Sequence, residues 1–518
     1  MRPAGEATAE RGLEVRRCLL LIASTFLVVA VLPAGAQVRG PDAARGRIRA
    51  AENFELVGHH ALLGRGMNSA IAIYRNFLYV GSRTDASDTC VPAAGVPERG
   101  GCPHERPNVL ILDIEDPAHP RLVGEIGPPL EGVVGLTSRE LRVWPQEKLL
   151  IVMNITCGRF YGACGESNRR PNIRFYDISG RNAANPQLVS TYRPSVEPHE
   201  MFLWIDPEDP SRAFLYMSVF SGSVEEPAVF VTDISRAREG VFEEVAALDT
   251  TGSFSEEDRT NFFIAGHSIS VSPDGTRGYL AYWGATFLVL DTSDIAAGVP
   301  DPELRLVTPL ANRPTWPNPA THSAVKVPGS DLAITTEELY GDYDDVNDPP
   351  GNSSGCPWGW ARLIDISDEV QPAVVGEYQV VENTEAYCRS LVGGDPDNTT
   401  YTSYSTHNLT VLPKVAFISW HAAGLQAVTI TDPARPVQAG FFVPEPLRSV
   451  TTEDPALSRG VNRVVMWSYP IIRKGLIYVV DIRNGLYILR YTGPNARAVD
   501  GITYLEGNSN RGDALRLE

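Results

Sequence analysis

An internal repeat constrains the fold of this chain more than any other feature of its sequence. Each copy consists of an apolar strand, a turn rich in Asp and Pro, and a second strand. Three copies of 18 residues align closely: VLILDIEDPAHPRLVGEI (109–126), ARLIDISDEVQPAVVGEY (361–378) and LQAVTITDPARPVQAGFF (425–442). Because Asp caps turns and Pro cannot donate to a strand ladder, the motif ends one strand and begins the next.

A second pair of apolar strands precedes each copy. Examples are residues 70–82, 267–283 and 407–420. Four antiparallel strands per unit, with units roughly 55 to 85 residues apart, is the pattern of β-propeller blades.

The two ends of the repeat region complement each other. The last unit (466–491) contains only three strands, whereas FELVG (54–58) matches the outer-strand sequence RLVGE (121–125) and has no inner strands before it. Closing the ring with this N-terminal strand would remove an exposed sheet edge. The sequence therefore predicts an all-β, seven-bladed β-propeller over residues 54–493, closed by its N-terminal strand and followed by a polar C-terminal tail, 494–518.

The repeat, an apolar strand followed by D-I-S-D-P-x-x-P-x-L-V-G, resembles that of the LVIVD-repeat family of exported bacterial β-propellers. The resemblance covers about residues 54 to 493. It implies the propeller fold and carries no particular chemistry. Blade three departs most, because REGVFEEVAAL (238–248) replaces the Pro-containing turn.

Residues 1–36 are typical of an export signal. Arg16 and Arg17 precede an apolar run (18–32), and small residues follow up to Ala36, where we expect cleavage. The run is shorter than the roughly 20 residues that span a bilayer. We therefore expect a secreted, periplasmic or cell-surface protein with no stable membrane span, and retention of the segment as an anchor is the alternative.

Export removes Cys18 and leaves six cysteines, which an oxidising compartment allows to form disulfides. The pairing suggested by proximity in loops is Cys90 with Cys102, Cys157 with Cys164, and Cys356 with Cys388. Other pairings stay open, and a cysteine metal site is disfavoured because no C-x-x-C pair occurs. The net charge of -18 argues against nucleic acid and anionic membrane surfaces as partners.

The starts of the seven inner strands indicate a candidate site. The residues at this equivalent position are Asn68, Arg139, His199, His267, His322, His407 and Trp467. Four consecutive blades thus begin with histidine, although the chain has only nine histidines. Neutral imidazoles that converge near the axis can bind iron or copper. We expect a four-histidine metal centre at the channel mouth; the alternative is that each histidine only hydrogen-bonds within its own blade.

Weaker candidates surround this site. Glu200 and Glu140 follow two of the aligned positions and could transfer a proton or orient an imidazole, and His421 ends the second strand of blade six on the same face. The acidic segment 337–350 does not have the spacing of a calcium loop, so a solvated turn is favoured over calcium.

Two functions are consistent with this pattern. The first is a metal-dependent oxidase or oxygenase acting on an unknown small molecule. In outline it looks like carotenoid-cleaving oxygenases and selenium-binding-type methanethiol oxidases, with which only the histidine arrangement is shared. The second is a non-catalytic propeller that binds an extracellular protein or glycan. Metal content discriminates between the two.

Overall fold

The chain folds as the predicted seven-bladed β-propeller. A computed structural model describes residues 48–83, 109–127, 137–155, 172–261, 263–317, 319–339, 358–384, 386–387, 404–451 and 463–518. Within these ranges the strands form seven antiparallel sheets of four or five strands, one for each blade. The predicted fold class is therefore confirmed.

Each blade places its strands in the same order from the axis outward. The innermost strands, from blade one to blade seven, are Asn68–Tyr74, Thr137–Trp144, Met201–Ile205, Ala265–Val271, Thr321–Lys326, Leu409–Leu412 and Ile471–Arg473. The second strands are Phe77–Ser82, Leu149–Ile155, Ala213–Ser218, Arg277–Trp283, Leu332–Glu337, Val415–Trp420 and Leu476–Asp481. The third strands are Val109–Asp113, Asn172–Asp177, Val229–Asp233, Thr286–Asp291, Ala361–Asp365, Gly424–Thr429 and Gly485–Tyr491. The outer strands are Arg121–Ile126, Gln187–Tyr192, Glu243–Leu248, Arg305–Leu306, Ala373–Tyr378, Val437–Pro444 and Phe54–His60.

The N-terminal strand closes the ring as predicted. Phe54–His60 pairs antiparallel with Gly485–Tyr491 and completes blade seven. A further strand, Ile48–Glu52, pairs with Val437–Pro444 and adds a fifth strand to blade six, which the sequence analysis did not predict. The folded region therefore begins before residue 54.

Blades three and four show how far the repeat can vary. The outer strand of blade three, Glu243–Leu248, pairs with the third strand despite lacking the Pro-containing turn. In blade four the short helix Ser293–Ala296 follows the third strand, and the outer strand is reduced to Arg305–Leu306.

The aspartates of the repeat cap the turns after the third strands. Asp113, Asp233 and Asp365 each end such a strand, and a carboxylate oxygen of each accepts the backbone N–H two residues later, at 3.0, 2.7 and 2.8 Å. This side-chain bond satisfies a backbone donor where the ladder ends. The Asp of the motif is therefore a local turn residue.

The glycine of the L-V-G sequence lies where an outer strand meets the turn of the neighbouring blade. A Cβ at Gly58 would be 2.0 Å from the carbonyl oxygen of Pro117, and a Cβ at Gly376 would be 2.0 Å from that of Pro433. Real Cβ atoms do not approach a carbonyl oxygen so closely, so backbone packs directly on backbone at this point. The repeat glycine thus sets the spacing between blades.

A separate apolar cluster fills each interface between neighbouring blades. Blades one and two, for example, share Ile111, Val143 and Val152, all at most 2% exposed. Tryptophans also cross interfaces, since Trp144 donates to the carbonyl oxygen of Pro210 in the next blade at 3.1 Å. Burial between blades supplies most of the apolar stabilisation of a propeller.

Residues 494–518, predicted as a polar tail, fold against the propeller. Tyr504–Leu505 pairs with the inner strand of blade seven, and the backbone N–H of Leu203 donates to the carbonyl oxygen of Asn508 at 3.2 Å. The segment contacts the inner strand of every blade or the residues just after it, at Ile73, Arg142, Leu203, Pro273, Lys326, Leu409 and Ile472. Most of these contacts lie at the strand ends away from the aligned histidines, so the segment closes that end of the channel.

In the described ranges, helices are few and short. The α-helices are Glu256–Asn261, Ser293–Ala296, Ala496–Asp500 and Ala514–Leu517, and the 3-10 helices are Leu62–Gly64, Gly180–Ala183, Ala237–Glu239, Thr251–Ser253, Leu310–Asn312 and Val381–Asn383. Among the described residues, none of the helices has the length and apolar character needed to cross a membrane. The expected export signal and all six cysteines lie outside the described residues.

Replacing Gly376 by Ala tests the contact between blades. The added Cβ would overlap the carbonyl oxygen of Pro433, so we expect the free energy of unfolding to fall by about 1 to 3 kcal/mol in a denaturant titration. Gly501→Ala is the matched control, because its Cβ would meet ordinary contacts at 3.5 Å. Equal stability of the two variants would contradict this role for the repeat glycine.

Because His60, at the end of the closing strand, is buried in its neutral form, we expect the protein to lose stability in acid. Its Nδ1 accepts the N–H of Leu62 at 3.0 Å, and burial lowers its pKa from 6.5 to about 4. Because the unfolded chain takes up this proton first, stability falls from about pH 6.5 down to about pH 4. In His60→Asn, which retains an acceptor, the slope of unfolding free energy against pH in this window should shrink by up to about 1.4 kcal/mol per pH unit. Parallel curves of unfolding free energy against pH for the parent protein and His60→Asn would contradict this prediction.

Candidate metal centre

Irregularities in the inner strands direct the aligned side chains to the channel mouth. In blades four and five the ladder skips one residue, so that His267 and His322 have no direct partner in the second strand. Arg139 occupies the same unpaired position in blade two. An extra residue of this kind locally re-aims a side chain, and such bulges are common beside functional sites.

The structure brings the four predicted histidines together. Successive ring centroids are 4.5 Å apart for His199 and His267, 4.1 Å for His267 and His322, and 3.9 Å for His322 and His407. The last three histidines are at most 2% exposed. Imidazoles from four consecutive blades therefore form a continuous row, which is half-buried at His199 and buried at the other three.

His199 differs from the other three because a cation faces it. The guanidinium of Arg139 lies 3.1 Å from His199 Nε2, and arginine can only donate, so Nε2 is the acceptor. His267 Nε2, 3.1 Å away, therefore donates to the same atom and carries a proton in the metal-free protein, which an ion bound at that nitrogen would displace. With its lone pair directed at a cation, His199 supports the row rather than offering a ligand.

Carboxylates approach the row from two directions. Glu200 Oε1 lies 3.5 Å from His322 Nε2, and Glu338 Oε2 lies 3.6 Å from the same atom. The other oxygen of Glu338 lies 3.4 Å from His407 Nε2 and 3.9 Å from His421 Nε2. Two of the three weaker sequence candidates, Glu200 and His421, thus lie beside the row.

Among the residues that the structure describes, two sets of ligand atoms are compact enough for a metal ion. Within each set all atoms lie within 4.8 Å of one another, and all the residues are buried. The sets are Glu200, His267 and His322, and His322, Glu338 and His407.

The sequence favours a solvated turn for residues 337–350, and this prediction is wrong for Glu337 and Glu338, which are buried. Glu337 is 2% exposed, and its carboxylate accepts from Trp316 Nε1, Ala320 N and Thr321 Oγ1 at 2.8 to 3.1 Å. Glu338 is 5% exposed and faces the histidines. The acidic segment overlaps the end of strand Leu332–Glu337, which explains why its first residues are not in a solvated turn. Residues 340–350 lie outside the described residues.

A hydrogen-bond path fixes the tautomers of two imidazoles. The carbonyl oxygen of Trp467 can only accept, so His407 Nδ1, 2.7 Å away, carries the proton. The same carbonyl accepts from Asn408 Nδ2 at 3.2 Å, which directs Asn408 Oδ1 towards Ser323. Ser323 Oγ donates to that oxygen and therefore accepts from His322 Nδ1 at 2.8 Å. Both imidazoles thus present an unprotonated Nε2.

These two Nε2 atoms make no hydrogen bond within the part of the chain that the structure describes. His322 and His407 are both fully buried there. A buried polar atom without a partner costs free energy, and in native proteins it calls for an explanation such as an ion. The lone pairs of His322 and His407 are the atoms to which an ion would bind.

Burial keeps the cluster in a form that can bind a cation. It lowers the pKa of His267, His322 and His407 well below the usual value of a histidine, so the rings are neutral near pH 7. Burial also lowers the pKa of His421, to about 3. Glu200 differs, because burial and then the charge of Glu140 raise its pKa to about 8 against the opposing charges of Arg139 and Arg142, so an ion that binds this carboxyl displaces a proton.

Glu140 has a different role from Glu200. Its carboxylate lies 2.7 Å from Arg142 Nη2, and both side chains are 1% exposed. The pair belongs to the layer beneath the histidines, where Tyr469 also reaches Glu200 at 3.5 Å. Glu140 is therefore held by Arg142 and is not among the grouped ligands.

Aromatic rings cover the row at both ends. The Trp467 ring lies 3.6 Å from that of His407 and is parallel to that of His421, at 5.7 Å and 4°. At the other end, Phe220 lies 4.7 Å from His199, and Trp283 stacks on the next ring, His267, at 5.3 Å. These rings exclude water from the imidazoles and fix their planes.

Glu338 is the residue that sequence analysis missed. It directly follows the second strand of blade five, as His421 follows that of blade six. The argument that directs His421 to the channel mouth applies equally to Glu338. Its position in a run of acidic residues concealed the equivalence.

Comparison with known proteins adds no function. No known family and no curated protein matches the sequence. Two solved structures with a similar fold are the β-propeller domain of Cps50 (Swd1) from Myceliophteria thermophila, with 9% identity, and Sqt1 from Saccharomyces cerevisiae, with 8%. For each of them the TM-score is 0.42, and the alignment covers 86% of this chain and 98% of the solved chain.

The hydrogen-bond path makes a prediction about proton positions. In protein freed of metal with a chelator and labelled with ¹⁵N in histidine, His322 and His407 should show a protonated Nδ1 and an unprotonated Nε2. Ser323→Ala removes the acceptor for His322 and should shift its ring nitrogens while leaving those of His407 unchanged. A protonated Nε2 on His407 in the parent protein would contradict the assignment.

Proposed function

We propose that this propeller is a metal-dependent oxidase or oxygenase that binds iron at the channel mouth. The observation that carries the proposal is the pair of buried Nε2 atoms, on His322 and His407, that lack hydrogen bonds and face carboxylates. Copper is the second candidate ion, and carboxylate ligands favour iron.

The spacing of the donors supports binding without a large rearrangement. The Nε2 atoms of His267, His322 and His407 lie 3.4 to 3.7 Å from the nearest oxygen of Glu338. An ion with bonds of about 2.1 Å holds adjacent ligand atoms about 3.0 to 3.4 Å apart, depending on its geometry. The three contacts with Glu338 therefore need to shorten by only a few tenths of an ångström.

The chemistry of the donors supports redox function. Each compact set consists of two histidines and one glutamate. Two imidazoles and one carboxylate that leave positions open to other ligands are the usual environment of non-haem iron that activates oxygen. Iron bound here would supply Lewis acidity and oxygen activation to a small molecule.

The protein contributes a dry and rigid environment for that chemistry. Trp283 and Trp467 exclude water, and the path through Ser323 and Asn408 holds two rings in the binding tautomer. Ligands oriented in this way bind metal more tightly than mobile ones.

The location of the protein belongs to the same proposal. The basic, apolar and small-residue pattern of residues 1–36 supports export, and the repeat motif supports kinship with the LVIVD-repeat propellers. Export would allow the six cysteines to form disulfides.

Metal analysis tests the proposal directly. Elemental mass spectrometry of the purified protein should find stoichiometric iron, and a His322→Asn/His407→Asn variant should lose at least nine-tenths of it, because both unsatisfied nitrogens are gone. The control is His119→Asn, at an exposed turn.

Circular dichroism would establish that the double variant retains its sheets. Absence of iron and copper from the parent protein, even after anaerobic reconstitution, would overturn the proposal and favour a non-catalytic binding propeller. Equal metal in the parent and the double variant would place the ion elsewhere.

A further inference from the structure

The cluster contains more ligands than one ion of this kind uses. Its two compact sets share a single residue, His322. The Nδ1 of His322 donates to Ser323, so this neutral ring has one lone pair, on Nε2, and can bind one ion only. If both sets bind an ion, the second therefore needs another ligand in place of His322.

The two oxygens of Glu338 face different pairs of imidazoles. Oε2 lies 3.7 Å from His267 Nε2 and 3.6 Å from His322 Nε2. Oε1 lies 3.4 Å from His407 Nε2 and 3.9 Å from His421 Nε2. A carboxylate whose oxygens point to separate groups of donors is arranged to bridge two ions.

Building on the proposed function, we propose that the cluster binds two metal ions bridged by Glu338. The first ion is bound by Glu200, His267 and His322, with Glu338 Oε2. The second is bound by His407 and His421, with Glu338 Oε1; these three residues are not one of the compact sets, so the two imidazoles, with ring centroids 5.5 Å apart, must approach each other when the ion binds. The first ion then has two histidines and two carboxylates, the second has two histidines and one carboxylate, and ions in two-metal sites lie about 3.5 to 4 Å apart.

The surroundings of His421 suit a ligand of the second ion. The residue is fully buried, and its ring is parallel to that of Trp467, which fixes the plane of the imidazole. It directly follows the second strand of blade six, whereas His407 precedes the inner strand, so the two rings come from different parts of the blade.

The position of Arg139 explains why His199 is not a ligand of either ion. Its guanidinium occupies the lone-pair side of His199 Nε2 at 3.1 Å, and a cation beside a metal ligand weakens metal binding. The ions are therefore displaced towards blades five and six, where Glu338 lies.

Metal stoichiometry tests this inference separately from the proposed function. The metal-free full-length protein is titrated anaerobically with Fe(II), and bound iron is counted by elemental analysis after gel filtration. We expect two ions per chain in the parent protein and one in His421→Asn, with two retained in the control His119→Asn. Loading with Mn(II) gives an independent readout, because two bridged ions show exchange coupling in the electron paramagnetic resonance spectrum.

The outcomes distinguish the two claims. One ion in both the parent and His421→Asn would overturn the two-ion inference and leave the proposed function standing. No bound ion in the parent would overturn both. Two ions in both proteins, or two ions without exchange coupling in the parent, would place the second ion away from Glu338. Glu338→Gln, which removes the bridging charge, should abolish the coupling even where His421→Asn proves unstable.

Discussion

The pairing of Phe54–His60 with Gly485–Tyr491 is the interaction on which the rest of the structure depends. A propeller blade buries its faces only against its neighbours, so an open ring would leave two faces exposed to water. Strands separated by more than 400 residues of chain meet at this point, and the loop-closure entropy is offset only when the whole ring forms. The blades are therefore interdependent, although each repeat is local in sequence.

The candidate metal centre inherits this dependence on the ring. The hydrogen-bond path that fixes the imidazoles begins at the carbonyl oxygen of Trp467, in blade seven, and passes through Asn408 in blade six to Ser323 and His322 in blade five. No single blade contains both a ligand and all the groups that orient it. The protonation states at the centre are thus a property of the closed ring, and small shifts between blades would alter them.

The fold can be predicted from the sequence because the residues of the repeat act through local turns and contacts that recur in the blades. Asp113 marks a turn by capping it, and Gly376 marks the contact with the next blade because only glycine fits there. The alignment of inner strands likewise predicts that His267 and His322 lie together. All three features depend on chain position within a repeat, which periodicity reveals.

The remainder depends on contacts that no repeat encodes. Glu338 is one carboxylate in an acidic run, and only the end of its strand shows that it is buried against histidines. His199 and His407 are equivalent by alignment, yet Arg139 from a neighbouring blade makes them chemically different. The C-terminal residues have no repeat pattern, and their role follows from the inner strands against which they fold.

The C-terminal segment, residues 494–518, makes the two ends of the propeller axis different. One end carries the histidines, and the other is covered by residues such as Leu505 and Asn508. Residues 504–518, distant from the histidines, thereby connect the inner strands of all seven blades at that end.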